Sequence, residues 1–370
     1  MSARILILTA GYGEGHNTAA RCLAAGFTHL RPDLQVEVCD PYAVCYGSFN
    51  DFIRRLYISA INRTPNLWRC IYWLMDRTPL VPSTQWLAAR MERWLAAKLE
   101  RERPSVICST FPAYNFTLAR IHGDARPYPY VQGTVVTDSI SINSLWTKGR
   151  SDVYYVPNDD TARVVVDKGL PPSAVAAAGF PVQLALALPE HRLEPPPLDA
   201  GRTKVLYILN SGKAHAPQIV RRLLEFSSID LTLAVGRDEK LRDKLSRLTR
   251  GQESRVQFIG WTDQMPQLMM THHVVITKAG GATVQEALAA GCPLILNQVV
   301  PGQEEGNWFL VRDHDCGTLQ PDPDELVRAL GAALENGGAG LKRWRANILQ
   351  RHRPDAALRI AEDLIRRAGL

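Results

Sequence analysis

Short apolar runs, each closed by a glycine- or proline-bearing turn and followed by a helical stretch, recur along the whole chain. In the first half, residues 4–9, 35–39, 104–109, 130–137 and 152–156 read as buried strands, with helices at about 17–30 and 159–168. After a proline-rich stretch, Pro195 to Pro197, the alternation restarts. Strands are predicted at 204–209, 230–235, 255–259, 274–277 and 293–296, and helices from about 217 and at 282–290, 322–335, 341–352 and 354–368. Strand and helix in strict alternation predict α/β architecture, and the restart predicts two doubly wound domains. The expected boundaries are 1–182, a linker at 183–203, a second domain at 204–352 and a final helix at 353–370.

The most informative stretch runs from Ile276 to Asn297. It reads as strand, Gly280-Gly281 turn, helix stopped at Gly291, then strand. In such a unit the turn lies at the carboxyl edge of a parallel sheet, where backbone N–H groups at the helix start meet an anion past glycine hydrogens alone. A phosphate-bearing ligand fits this turn. Glu286, within the first two turns of the helix, is placed to accept hydrogen bonds from a ribose diol. The plainer alternative is an ordinary strand-to-helix turn with a solvated glutamate.

A second glycine-rich loop follows the first strand: Thr9-Ala-Gly-Tyr-Gly-Glu-Gly-His-Asn17. Its Gly11-x-Gly13-x-Gly15 order departs from a dinucleotide fingerprint, and Asp40 at the end of the second strand is a weak stand-in for the acidic partner that fingerprint needs. His16 stands at the lip of this loop, where a neutral imidazole can accept a proton from a hydroxyl; a helix-capping role is the alternative. Asp138 ends the 130–137 strand at the same sheet edge, either as a base, as the group that orients and polarises His16, or as a satisfied cap.

Composition narrows the partners. The 370 residues are 46% hydrophobic and 22% charged, as in folded globular chains, and the formal charge of +6 with a pI near 9.0 suits an anionic partner. Seven cysteines without a Cys-x-x-Cys pair argue against a disulfide framework or zinc site and for a reducing compartment. No apolar run reaches the roughly 18 residues needed to cross a bilayer, and the N-terminus lacks the length of a secretory signal. Residues 49–103 alone carry +5 and four of the eight tryptophans. Arg54, Arg55, Trp68, Arg69, Trp73 and Trp86 interleave as expected of a surface for anionic lipid headgroups and an acceptor. Two amphipathic helices packing tryptophans into a core are the alternative. No nucleic-acid module accompanies them.

The motif Thr277-Lys-Ala-Gly-Gly281, then Glu286, Gly291-Cys-Pro293 and Pro301-Gly-Gln-Glu-Glu-Gly-Asn307 resembles the donor-binding segment of a glycosyltransferase family. That family contains monogalactosyldiacylglycerol synthases, bacterial diacylglycerol glucosyltransferases and, more distantly, the peptidoglycan transferase of the lipid II pathway. The loop Thr9 to Asn17, Val136-Thr-Asp-Ser139 through Trp146, Asp152 to Val156 and Gly179-Phe-Pro-Val182 follow the family's order. The resemblance implies two Rossmann-like domains facing across a cleft, the GT-B type, with a last helix returning to the first domain.

It also implies site roles. Ser211 and Gly212 lie in the second domain's first loop, and Ile259 to Trp261 correspond to the uracil pocket. Lys278, Gly280, Gly281 and Thr283 would meet the diphosphate, Glu286 the ribose, and Gln303, Glu304 and Asn307 the sugar hydroxyls. Two features depart from the pattern: Asn143 stands where plant-type members carry a histidine, and Asn210, Lys213 and His215 replace part of a glycine run.

The activity so implied is inverting transfer of a hexose from a UDP-sugar to a lipid hydroxyl, diacylglycerol first among the acceptors, at the cytoplasmic membrane surface. His16 or Asp138 would serve as base, with no metal and no cofactor besides the donor substrate. A UDP-sugar epimerase of the same architecture and a non-catalytic sugar-nucleotide sensor are the alternatives.

Overall fold

The computed structural model describes residues 3–63, 89–123, 127–209, 213–302 and 304–370, with the side chains of 57–63 excepted. Trp68, Arg69, Trp73, Trp86, Ser211, Gly212 and Gln303 therefore lie outside the described residues. The chain divides into two compact units.

Unit 1 comprises Met1–Leu184, Val300–Gly306 and Pro354–Leu370. Its strands are β1 (Arg4–Leu8), β2 (Gln35–Cys39), β3 (Val106–Ser109), β4 (Val131–Val135), β5 (Val153–Tyr155) and β6 (Val175–Ala176), all parallel in the order β2-β1-β3-β4-β5-β6. Its helices are α1 (Glu14–Leu30), α2 (Pro41–Arg63), α3 (Ala89–Glu102), α4 (Ala113–His122), α5 (Leu145–Lys148) and α6 (Asp159–Asp167). The direction of strand addition reverses between β1 and β3, so the loops leaving those two strands part and open a crevice at the sheet's carboxyl edge.

Helix α1 begins at Glu14, three residues ahead of the expected start, because Gly13 in extended backbone already serves as its N-cap. His16 is consequently inside the first turn of the helix rather than in the loop before it.

The last helix, α13 (Ala356–Arg367), buries Ala357, Ile360, Ala361, Leu364 and Ile365, an i, i+3, i+4, i+7, i+8 stripe. That stripe joins Leu23 and Phe27 of α1 on one face of the sheet. The two helices approach so closely that a Cβ at Gly26 would stand 2.6 Å from the Ala357 carbonyl oxygen. Met91, Leu95 and Tyr114 cover the opposite face.

Unit 2 comprises Ala185–Val299 and Asn307–Arg353. Strands β7 (Thr203–Ile208), β8 (Ile229–Gly236), β9 (Val256–Gly260), β10 (Val274–Lys278), β11 (Leu294–Gln298) and β12 (Gly317–Leu319) form a parallel sheet ordered β12-β11-β10-β7-β8-β9. Numbered within the unit this is 3-2-1-4-5-6, with its switch point between β7 and β10. Helices α7 (Ala216–Leu223), α8 (Glu239–Leu248), α9 (Met265–Thr271), α10 (Gly281–Ala290), α11 (Glu305–Asp313, whose first two residues belong to unit 1) and α12 (Pro323–Leu349) surround it. Helix α12 is interrupted at Glu335 to Gly338, where three successive residues take positive φ.

The proline-rich stretch read as an exposed linker is tied to this unit. His273 Nε2 donates to Pro196 O at 2.7 Å, Glu194 pairs with Arg345, and Leu198 packs over Gly338. Among the described residues no helix is long and apolar enough to cross a membrane.

Candidate functional site

At the switch point of unit 1, the turn after β1 is built on Asp40. One carboxylate oxygen of Asp40 accepts from Gly11 N–H at 2.9 Å and the other from Ala43 N–H at 3.0 Å. Both oxygens thus serve this chain's own backbone, which removes Asp40 as the ribose acceptor of a nicotinamide fold. Tyr12 stacks on Phe111 with ring centroids 5.9 Å apart, and its hydroxyl donates to Asn50 Oδ1 at 3.0 Å.

His16 is half-buried above this turn. Its Nδ1 lies 2.8 Å from the carbonyl oxygen of Thr110, at the end of β3, and 2.8 Å from Thr137 Oγ1, beyond β4. A carbonyl only accepts, so Nδ1 carries the ring proton in this network and Nε2 presents its lone pair. Burial pushes the His16 pKa below its ordinary value, against the opposing pull of the Asp138 charge. The imidazole is neutral at pH 7, in the tautomer a base requires.

Asp138 is half-buried beside it and is held differently from the expectation that it orients His16 directly. Its Oδ2 accepts from the indole N–H of Trp146 at 2.7 Å, while Thr110 and Thr137 orient the imidazole. Burial raises the Asp138 pKa, and the His16 charge and the indole N–H draw it back. Asn143, the departure from the family pattern, is buried and starts helix α5 by accepting from Leu145 N–H at 3.0 Å. Thr110, Thr137 and Trp146 were not singled out from sequence as parts of this site. The spacing of Asp138 and Trp146 in one loop was the available signal for the last of them.

In unit 2 the Gly280-Gly281 turn follows β10 at the switch point, and α10 starts at Gly281 with Gly280 as N-cap and no capping side chain. The first four N–H groups of a helix lack intrahelical partners, so this end has the donors to hold an anion. Thr283 and Glu286 are half-buried on its first turns, and Lys278 closes β10 at an irregularity in the β10–β11 register. Asn307 is buried and donates from Nδ2 to Ala279 O at 2.9 Å, fastening α11 to the turn.

A cavity of about 830 Å³ opens at the carboxyl ends of β7, β8 and β9, lined by Leu209, Lys213, Gly236, Asp238, Gly260 and Trp261 among others. Trp261 is 67% exposed and carries the Arg237 guanidinium over its ring at 5.0 Å. Asp238 caps α8 through Leu241 N–H at 3.1 Å and pairs with Lys213 at 2.6 Å, and that lysine holds its carboxyl below the ordinary value. Ile259, expected in the same pocket, is half-buried in β9. Arg237 was not anticipated; a cation beside a glycine at a strand's carboxyl end was the signal.

Glu304, in the Val300–Gly306 segment of unit 1, is 7% exposed, and its Oε2 accepts from Val300 N–H at 3.0 Å. That carboxylate shapes its own loop. On the surface of α2, Val44, Phe49, Phe52 and Leu56 are all more than half exposed, with Arg55 exposed beside them. Arg54 instead lies over the glycine loop, 3.4 Å from where a Cβ of Gly11 would stand.

Residues 16–182 match the family described as monogalactosyldiacylglycerol (MGDG) synthase, and residues 213–336 match glycosyl transferases group 1. A processive diacylglycerol beta-glucosyltransferase of Bacillus subtilis (strain 168) is 24% identical, over 99% of this chain and 96% of its own. Among solved structures, Acinetobacter baumannii MurG superposes with a TM-score of 0.65 at 12% identity, covering 98% of this chain and 99% of its own. A putative UDP-N-acetylglucosamine 2-epimerase from Listeria monocytogenes gives 0.65 at 13% identity, covering 99% and 96%. At such identities the structural likeness establishes the shared two-domain α/β fold and nothing finer.

Proposed function

Since this chain is a glycosyltransferase of GT-B fold, akin to the monogalactosyldiacylglycerol synthases and diacylglycerol glucosyltransferases, we propose that it transfers a hexose from a UDP-sugar to the hydroxyl of diacylglycerol with inversion. The observation that carries the reading is His16, buried to neutrality, with Nδ1 committed to Thr110 and Nε2 presented as a base at the switch point of unit 1.

In one displacement, His16 Nε2 takes the proton as the acceptor oxygen bonds to the anomeric carbon and the bond to the diphosphate breaks. The carboxylate form of Asp138, which the Trp146 indole N–H favours, stabilises the imidazolium that forms. The departing diphosphate collects on the N–H groups of Gly281 to Thr283 and on Lys278, which is the support for a reaction without a metal. Glu286 takes the ribose diol, the cavity beside Trp261 the base, and the loop carrying Gln303, Glu304 and Asn307 the hexose. The exposed Phe49, Phe52 and Leu56, at i, i+3 and i+7 on α2 with Arg55 alongside, support a peripheral membrane contact at the cytoplasmic leaflet.

The test is to mix the protein with liposomes of diacylglycerol and an anionic lipid, add UDP-sugars one at a time, and follow UDP together with glycolipid by mass spectrometry. UDP appearing only with lipid present, alongside a new glycolipid, is the expected result. Conversion of the donor without lipid would establish an epimerase instead, and nucleotide binding without release of UDP a sensor.

A further inference from the structure

The loop after β4 carries Asp138 and then makes an unusual turn. Ile140 has φ +54, in the left-handed region; of the four described non-glycine residues with positive φ it is the one with a branched β-carbon. Ser141 N–H donates to Ser139 O at 2.6 Å and closes a three-residue turn around it. Such a conformation persists only where its surroundings impose it.

The surroundings are on two sides. From α6, Thr161 Oγ1 accepts from Ile140 N–H at 3.0 Å, and Asn158 Nδ2 donates to Ser139 Oγ at 2.9 Å. Asn158 is itself fixed by accepting from both the N–H and the hydroxyl of Thr161, each at 2.8 Å. On the other side lies Gly306. A Cβ there would collide with the Ser139 carbonyl oxygen and stand 2.5 Å from Ser141 N. Those atoms are backbone and have no rotamer to change. Gly306 has no positive φ, so its glycine is required for space alone.

Gly306 ends the Val300–Gly306 segment, whose shape Glu304 sets through Val300 N–H, so fixing Gly306 fixes Glu304 with it.

We propose that the Ser139–Ile140–Ser141 turn is a rigid seat for Gly306 that positions the hexose-binding loop, and that Ile140 and Gly306 are positioning residues for the donor's sugar and not for its nucleotide. The inference rests on the assignment of this loop to the hexose. Trp261 and Glu286, the residues assigned to base and ribose, lie outside both the turn and the Val300–Gly306 segment.

Calorimetry with UDP, UDP-glucose and UDP-galactose on the full chain tests it without requiring turnover. Gly306→Ala should leave UDP affinity within about twofold of wild type while weakening the preferred UDP-hexose about tenfold or more, a selective loss. Ser141→Pro removes the N–H that closes the turn and disfavours the helical and left-handed backbone at Ile140, with Gly306 intact; it should give the same selective loss. Parallel loss of UDP and UDP-hexose affinity in both variants would mean general structural damage and overturn the proposal. Unchanged UDP-hexose affinity in either would overturn it directly. The selective loss in both variants, with a wild type that binds UDP-hexose but transfers no hexose to lipid, would remove the catalytic reading and leave this inference standing.

Discussion

His16 and Thr110 are bonded to each other twice: the imidazole Nδ1–H donates to the Thr110 carbonyl at 2.8 Å, and the Thr110 hydroxyl donates to the His16 carbonyl at 3.1 Å. The first turn of α1 is thereby locked to the end of β3 across the switch point, and the ring has one tautomer. The expected base is thus prepared before any substrate arrives.

His16→Gln should reduce transfer by about 10²- to 10⁴-fold, the usual contribution of a general base, with UDP affinity unchanged in calorimetry. Because burial lowers the His16 pKa, kcat/KM should stay level down to pH 6.5 and fall only below it as the imidazole gains its proton. An acid limb well above pH 6.5 would contradict the assignment.

Trp146→Phe keeps an aromatic ring near His16, whose centroid lies 6.1 Å from the indole, and deletes the donor to Asp138. The Asp138 pKa, already raised by burial, rises further; less of it is ionised, its upward pull on His16 weakens, and the acid limb of kcat/KM should move to lower pH while turnover drops about tenfold. A pH profile superimposable on that of wild type would show that Asp138 takes no part in the charge balance.

Glu286→Ala should weaken UDP by about 10- to 100-fold, since two ribose hydroxyls lose an ionised acceptor. Equal affinity of wild type and variant removes Glu286 from the ribose. In the same titrations Trp261, exposed at the cavity mouth, should report UDP through its fluorescence, and Trp261→Ala should abolish that signal.

His272 supplies a stability test far from the chemistry. It is buried, with Nδ1 on Leu268 O and Nε2 on Thr232 Oγ1, and burial lowers its pKa from 6.5 to about 4. A depressed histidine pKa means the unfolded chain binds the proton more readily, so stability is complete above pH 6.5 and is lost as pH falls toward 4. The loss from this group is about 3 kcal/mol, read as a fall in the denaturant midpoint between pH 7 and pH 4. His272→Gln should be less stable at neutral pH and less sensitive to acid.

Much of this was legible in order along the chain. Apolar runs placed ten of the twelve strands among the described residues, because a strand buried on both faces reads as a continuous apolar stretch. The two-residue β6 and the three-residue β12 carry too little pattern to see. Gly280 and Gly281 marked the uncapped helix start, since glycine at a strand-to-helix turn is a local signal. Helix α1 starts three residues ahead of the expected position because its N-cap is Gly13 in extended backbone, with no capping side chain to mark it in the sequence.

By itself, then, the sequence determined the α/β alternation, the two glycine turns and the candidacy of His16, Asp138 and Glu286, all of which depend on residue type and near neighbours. Only the tertiary structure decided what each group is bonded to. Thr110 is 94 positions from His16 and Thr137 is 121, and neither hydroxyl nor carbonyl announces a partner at that separation. Strand order brings them together: β1 sits beside β3 and β3 beside β4, so three loops distant in sequence end at one edge. The seat of Gly306 on Ser139 has the same origin, a backbone contact between residues far apart that leaves no pattern in composition or periodicity.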